Sequence, residues 1–194
     1  MSYTEIYQVP EKGEIIEYKE FYNSSRGAML IWRCMAERYL PPRYDYLSDS
    51  PWAYYTGGSK GYEEIWALAK DIRIPPEHRI TLISTFDYLM VKRENIQLFA
   101  DSFRKFTKDF GDKMEHSSLL EQAEALEELL KDKKTYAVCW LQTSVCSDLW
   151  QVFIPDELPE DKDDYDEIRN YDISKDDDRH CFFDFKEDIL QKNT

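Results

Sequence analysis

Apolar positions change period several times along the chain. Ile6 and Val9, then Ile15, Ile16 and Tyr18, read as a short strand pair turning at Glu11-Lys12-Gly13. Asn23-Ser24-Ser25 offers a helix N-cap, and a helix is expected to follow with Met29, Trp32 and Ala36 on one face. Leu40-Pro41-Pro42 ends it, because a residue before proline is pushed out of the α region. From Pro42 to Gly61 no period is visible, and the stretch reads as a ring-rich loop containing Trp52, Tyr54 and Tyr55. Tyr62 to Lys70 reads as a helix closed by Pro75-Pro76. Arg79 to Met90 is rich in strand formers around Ile80, Leu82 and Ile83.

The second half is clearer. Ile96, Phe99, Phe103, Phe106 and Phe110 recur at three- and four-residue steps, which predicts an amphipathic helix over Glu94 to Phe110, stopped by Gly111. A second helix is predicted from Ser117/Ser118 to Lys133. Its stripe is Leu119, Leu120, Ala123, Leu126, Leu129 and Leu130, and Ser118 and Glu121 are spaced as a capping box. Thr135 to Leu141 and Val145 to Ile154 read as an antiparallel hairpin across Gln142-Thr143-Ser144, and Cys181 to Phe185 as a last strand returning to the sheet. The expected fold is α+β: a single domain over 1–194, a small, mostly antiparallel sheet against about four helices, and a long acidic surface loop over 156–178.

Composition fits a folded chain. Of 194 residues 42% are apolar and 15% aromatic, enough to build a core without disulfides or metal. No apolar run approaches the roughly 18–20 residues that span a bilayer, so no membrane association is expected. Met1-Ser2-Tyr3-Thr4-Glu5 has neither a positive flank nor an apolar core, so no secretory signal is expected and the cytoplasm is the expected compartment. Cys34, Cys139, Cys146 and Cys181 form no C-x-x-C pair and read as buried free thiols.

Charge changes the picture most. The net charge is −14, and residues 156–178 hold twelve acids against three bases, a balance of −9. Direct nucleic-acid binding is disfavoured, since phosphate contacts need a basic face. A basic protein partner is favoured, through steering and complementarity.

Motifs with a mechanical basis are missing. There is no phosphate loop, G-x-G-x-x-G, H-E-x-x-H or G-x-S-x-G. Thr56-Gly57-Gly58-Ser59-Lys60-Gly61 lacks phosphate-loop spacing and reads as a flexible turn. The acids from Asp161 match an EF-hand only in fragments, with Tyr165 at position five and Asp166 at position six. No cofactor or metal is expected. His78, His116 and His180 have no metal-type partner nearby in sequence.

What remains is acid interleaved with rings. Asp161, Asp163, Asp164, Asp166, Glu167, Asp176, Asp177 and Asp178, with Tyr165 and Tyr171, form the candidate partner-binding run. Trp52, Tyr54 and Tyr55 form a second candidate patch. In overall composition (small, acidic, aromatic-rich, without motifs) the chain resembles phage-encoded inhibitors of bacterial defence systems and bacterial immunity proteins. That resemblance implies a non-enzymatic protein that occludes a basic or nucleic-acid-handling partner. The competing expectations are an enzyme built on Asp87, His78 or a cysteine, and a structural or assembly subunit.

Overall fold

The computed structural model describes residues 3–12, 15–22, 27–44, 50–57, 59–85 and 89–142. In chain order these residues form strands β1 (Tyr3–Pro10) and β2 (Ile16–Tyr22), helices α1 (Ala28–Tyr39), α2 (Ala53–Gly57), α3 (Ser59–Ala67) and α4 (Pro76–Ile83), strand β3 (Leu89–Lys92), helices α5 (Arg93–Phe110) and α6 (Leu119–Lys131), and strand β4 (Thr135–Gln142). Short 3₁₀ turns follow α3 and α5. The expected α+β architecture is present. The sheet is wholly antiparallel, in the order β2-β1-β4-β3.

Pairing register separates the two faces of the sheet. Ile6 lies opposite Trp140, which lies opposite Leu89, and Val138 lies opposite Val91. These side chains pack with the helices in one core. The Phe stripe of α5 is buried as its period predicts, and Phe99 and Phe103 place their rings 5.3 and 6.2 Å from Trp140. Gly111 ends α5 with φ 54°, a left-handed value that glycine adopts without strain. Of the α6 stripe, Leu119, Ala123, Leu126 and Leu129 are buried, while Leu120 faces solvent.

Several local expectations are corrected. Ile80, Leu82 and Ile83 belong to helix α4, not a strand; Pro75 caps it and Pro76 occupies its first turn. In α1, Met29 is exposed, and the buried set is Ile31, Trp32, Cys34, Met35 and Ala36. The α1 N-cap is Gly27, with Asn23-Ser24-Ser25 outside the described residues. Ser118 caps α6 without a side-chain cap bond; its hydroxyl instead accepts from Gln122 Nε2 at 3.0 Å, so no capping box forms. The ring-rich stretch holds α2 and the start of α3 rather than an irregular loop. β4 has β1 on one side and β3 on the other across Ala137–Trp140. The expected hairpin partner of β4, residues 145–154, lies outside the described residues.

Gly61 shows why α2 and α3 can cross so closely. A β-carbon there would sit 2.1 Å from the Tyr54 carbonyl oxygen and 2.6 Å from Tyr55 Cα. This glycine is therefore a packing device between two helices, not part of a flexible or phosphate-cradling turn.

Candidate functional site

The acidic candidates Asp161, Asp163, Asp164, Tyr165, Asp166, Glu167, Tyr171, Asp176, Asp177 and Asp178 lie outside the described residues. The second candidate patch is described. Tyr55 is fully enclosed, its hydroxyl donating to the Pro41 carbonyl at 2.5 Å. Tyr54 meets it edge-on at 5.2 Å, and Trp52 stacks on it at 6.4 Å. Tyr55 is thus a core residue, and the ring surface left for a partner is that of half-buried Trp52 and Tyr54. Arg43 lies 5.4 Å over the Tyr54 ring and pairs with Glu64 at 2.5 Å, which fixes the polar edge of this unit.

The described body spends much of its charge internally. Arg104 holds Glu127 in a two-pronged pair at 2.6 and 2.9 Å across α5 and α6. Burial opposes the charged form of Glu37, but Lys113 and Arg33 outweigh it and hold the carboxyl below its usual range. Arg73 keeps Asp71 down at about 2. Charge by position makes the same point. Residues 1–142 hold twenty-three acids and nineteen bases, a balance of −4, whereas residues 143–194 hold sixteen acids and six bases, a balance of −10. Most of the excess that could act on a partner therefore belongs to the last quarter of the chain.

One buried constellation was not visible in the sequence. The Tyr39 hydroxyl lies 2.6 Å from His78 Nδ1, and His78 Nε2 lies 3.1 Å from Asp109 Oδ2. An ionised carboxylate only accepts, so Nε2 carries the proton and Nδ1 accepts from Tyr39. His78 is 1% exposed and sits against the rings of Phe106 and Phe110. Burial pushes its imidazole below the ordinary histidine pKa, against the pull of Asp109. Asp109 is held below the usual carboxylate range, first by Lys105 at 2.7 Å and then by His78. Both imidazole nitrogens are occupied, which fixes the ring between Tyr39 and Asp109. Its partners stand 39 positions before and 31 after it in the chain. Only the Lys105–Asp109 pair, at i and i+4, carried a local signal.

The cysteine route to catalysis finds little support in the described residues. Cys34 is buried, and burial raises its thiol to about 11, far from a ready thiolate. It borders a 200 Å³ pocket with Leu30, Arg33, Glu37 and Lys113, and no histidine lines that pocket. Cys139 is fully buried on the sheet. Cys146, Cys181, Asp87 and His180 are outside the described residues. No group of three or more His, Cys, Asp or Glu side chains suited to a metal occurs among the described residues.

An open cleft of 640 Å³ lies between the end of β1 and the start of β4. Exposed Lys12, Lys133 and Lys134 rim it with Arg93, against Glu11 and Glu94. The Arg93 guanidinium is committed to carbonyls: it donates to Asp132 and Thr135 at 2.7 and 2.9 Å and also to Leu130, closing the C-terminal end of α6. The three lysines give the cleft a cationic rim on an acidic protein. No helix among the described residues is long and apolar enough to cross a membrane. No family model matches the chain, and neither a curated protein nor a solved structure matches it.

Proposed function

We propose that this is a non-enzymatic binding protein that inhibits a basic, nucleic-acid-handling partner by occlusion, in the manner of anti-defence inhibitors and immunity proteins. The observation that carries the reading is the segregation of charge. A body that balances most of its own ions is joined to a 52-residue segment with a balance of −10. Fixed carboxylates concentrated in one stretch raise the encounter rate with a cationic surface, and interleaved rings then slow dissociation. Asp161, Asp163, Asp164, Asp166 and Glu167 are assigned to steering and Tyr165 and Tyr171 to anchoring. Exposed parts of Trp52 and Tyr54 supply a second contact.

The test is affinity capture at low and then high salt, using the natural chain and a variant with Asp161, Asp163, Asp164, Asp166 and Glu167 all changed to Lys. A basic partner that elutes as salt rises, and that the folded variant no longer retains, is the expected result. Capture that survives the charge reversal would reduce the acidic run to a solvated surface.

A further inference from the structure

The open cleft is walled by the end of β1, the start of α5 and the turn from α6 into β4. Its 640 Å³ lies within the range of small-molecule sites. The turn is held from two sides. Asp132 Oδ1 accepts from the Lys134 backbone N–H at 2.9 Å, and Asp132 Oδ2 accepts from Gln8 Nε2 at 2.9 Å. Gln8 Nε2 also donates to Thr135 Oγ1 at 2.8 Å, while Arg93 holds the Asp132 and Thr135 carbonyls. Gln8 of β1 and Arg93 of α5 thus clamp a turn whose two central residues are Lys133 and Lys134. These lysines are left over from the protein's own pairing. Arg33, Arg43, Arg73, Arg104, Lys105 and Lys113 each hold a carboxylate. Lys12, Lys133 and Lys134 are exposed, line the cleft and form no ion pair among the described residues. Glu11 and Glu94 share the lining. With Arg93 it therefore holds four bases and two acids, a balance of +2, whereas residues 1–142 as a whole stand at −4.

We infer that this cleft is a binding site for a small polyphosphorylated ligand, with Lys12, Lys133 and Lys134 as its phosphate contacts. An ammonium meets a tetrahedral phosphate as a compact point charge. A planar carboxylate is better matched by an arginine fork, and the arginine at this cleft is committed to carbonyls. The size of the ligand follows from charge. At physiological ionic strength a charge is felt over about 8 Å. A compact ligand therefore responds to the lysines around it, whereas a nucleic acid would run on across a chain of net charge −14. The chemistry recognised is the phosphate chain, and a nucleoside polyphosphate and an inorganic one both carry it. This inference does not depend on what the acidic run binds.

The test is calorimetric titration of the full chain at about physiological salt, with inorganic tripolyphosphate and, separately, with adenosine triphosphate. One saturable site is expected, with amide magnetic-resonance shifts centred on Lys12, Lys133, Lys134 and Tyr136. Tighter binding of the nucleotide would assign a nucleoside source, and equal or weaker binding an inorganic one. Changing Lys12, Lys133 and Lys134 together to Gln is expected to weaken binding at least about tenfold, the worth of a single charge-assisted contact. A control with Lys19, Lys70 and Lys108 changed to Gln removes the same charge elsewhere on the surface and should stay within about twofold of the parent. No saturable binding of either probe, equal weakening by the two triple variants, or shifts centred away from the cleft would overturn the site and reduce its lysines to a solvated rim.

Discussion

Trp140 Nε1 donates to Gln122 Oε1 at 3.1 Å, joining the central strand of the sheet to helix α6 inside the core. The indole is fully buried, and Gln122 is 5% exposed while its amide nitrogen donates to Ser118. Replacing Gln122 with Leu leaves a buried N–H without its acceptor. A loss of about 1–3 kcal/mol in urea unfolding is expected, with a changed near-ultraviolet tryptophan signal. Unaltered stability would show that another group satisfies the indole.

The buried histidine sets a pH dependence. Its imidazole pKa is lowered in the fold by burial, so the unfolded chain takes up the proton first as pH falls. Stability from this site is fully present above the unfolded value of about 6.5 and declines as pH drops through it toward the lower folded value. The slope cannot exceed about 1.4 kcal/mol per pH unit for one proton. Urea midpoints taken from about pH 7.5 to about pH 5.5 should fall for the natural chain and flatten for His78→Gln. Parallel curves for the two proteins would refute the assignment.

Asp109 acts in the opposite sense and at lower pH. Its carboxyl is held down mainly by Lys105 and then by His78, so its contribution is present above the ordinary carboxylate pKa and is lost below it. Asp109→Asn should therefore alter the acid limb of the stability profile, below about pH 4, and His78→Gln, which removes the weaker of the two groups holding the carboxyl down, should alter it less.

Gly61→Ala would drive a methyl into the Tyr54 carbonyl, 2.1 Å from the ideal β-carbon position. Both neighbours are backbone, so relief requires α2 and α3 to move apart. A loss of about 1–3 kcal/mol is expected in thermal unfolding, as for overpacked cores. A variant as stable as the parent would mean that the two helices do not cross at this glycine.

Two adjacent residues on α5 should behave very differently. Phe103 is fully buried beside Phe99 and Trp140, and Phe103→Ala is expected to cost about 3–5 kcal/mol. Arg104 makes its paired contact to Glu127 at a site where both side chains are more than a third exposed. Arg104→Ala should cost at most about 1 kcal/mol, and less in high salt. Equal losses for the two would indicate that the ion pair is far better shielded than its exposure implies.

Sequence pattern revealed those elements that have one wet side and one dry side. The α5 stripe from Ile96 to Phe110 was legible because Arg104, Lys105 and Lys108 mark the solvent face between its rings. Helix α4 was misread because His78, Arg79, Ile80, Thr81, Leu82 and Ile83 are all buried, so no 3.6-residue contrast survives. Its Pro75-Pro76 start was the better signal, pointing to a first helical turn rather than a terminator. The acidic run announces itself by charge, which needs no fold to be counted. Tyr39, His78 and Asp109 could not be assembled from the sequence, because the ends of three helices bring them together and no local spacing encodes that meeting.

The order β2-β1-β4-β3 also governs how this chain becomes folded. Ile6 meets Trp140, its partner 134 positions later, so the first strand made must wait for the last one described. Until then β1 and β2 form only a two-stranded hairpin, which is marginal in water. The α5–α6 pair closes over a few residues and can assemble beforehand. A nascent chain therefore acquires its helical layer early and its sheet late, with a slow, entropy-limited closing step. In that interval the edge of β1 that will meet β4 stays open, with Ile6 and Val9 uncovered, and this form of the chain is expected to be the most prone to aggregation during synthesis.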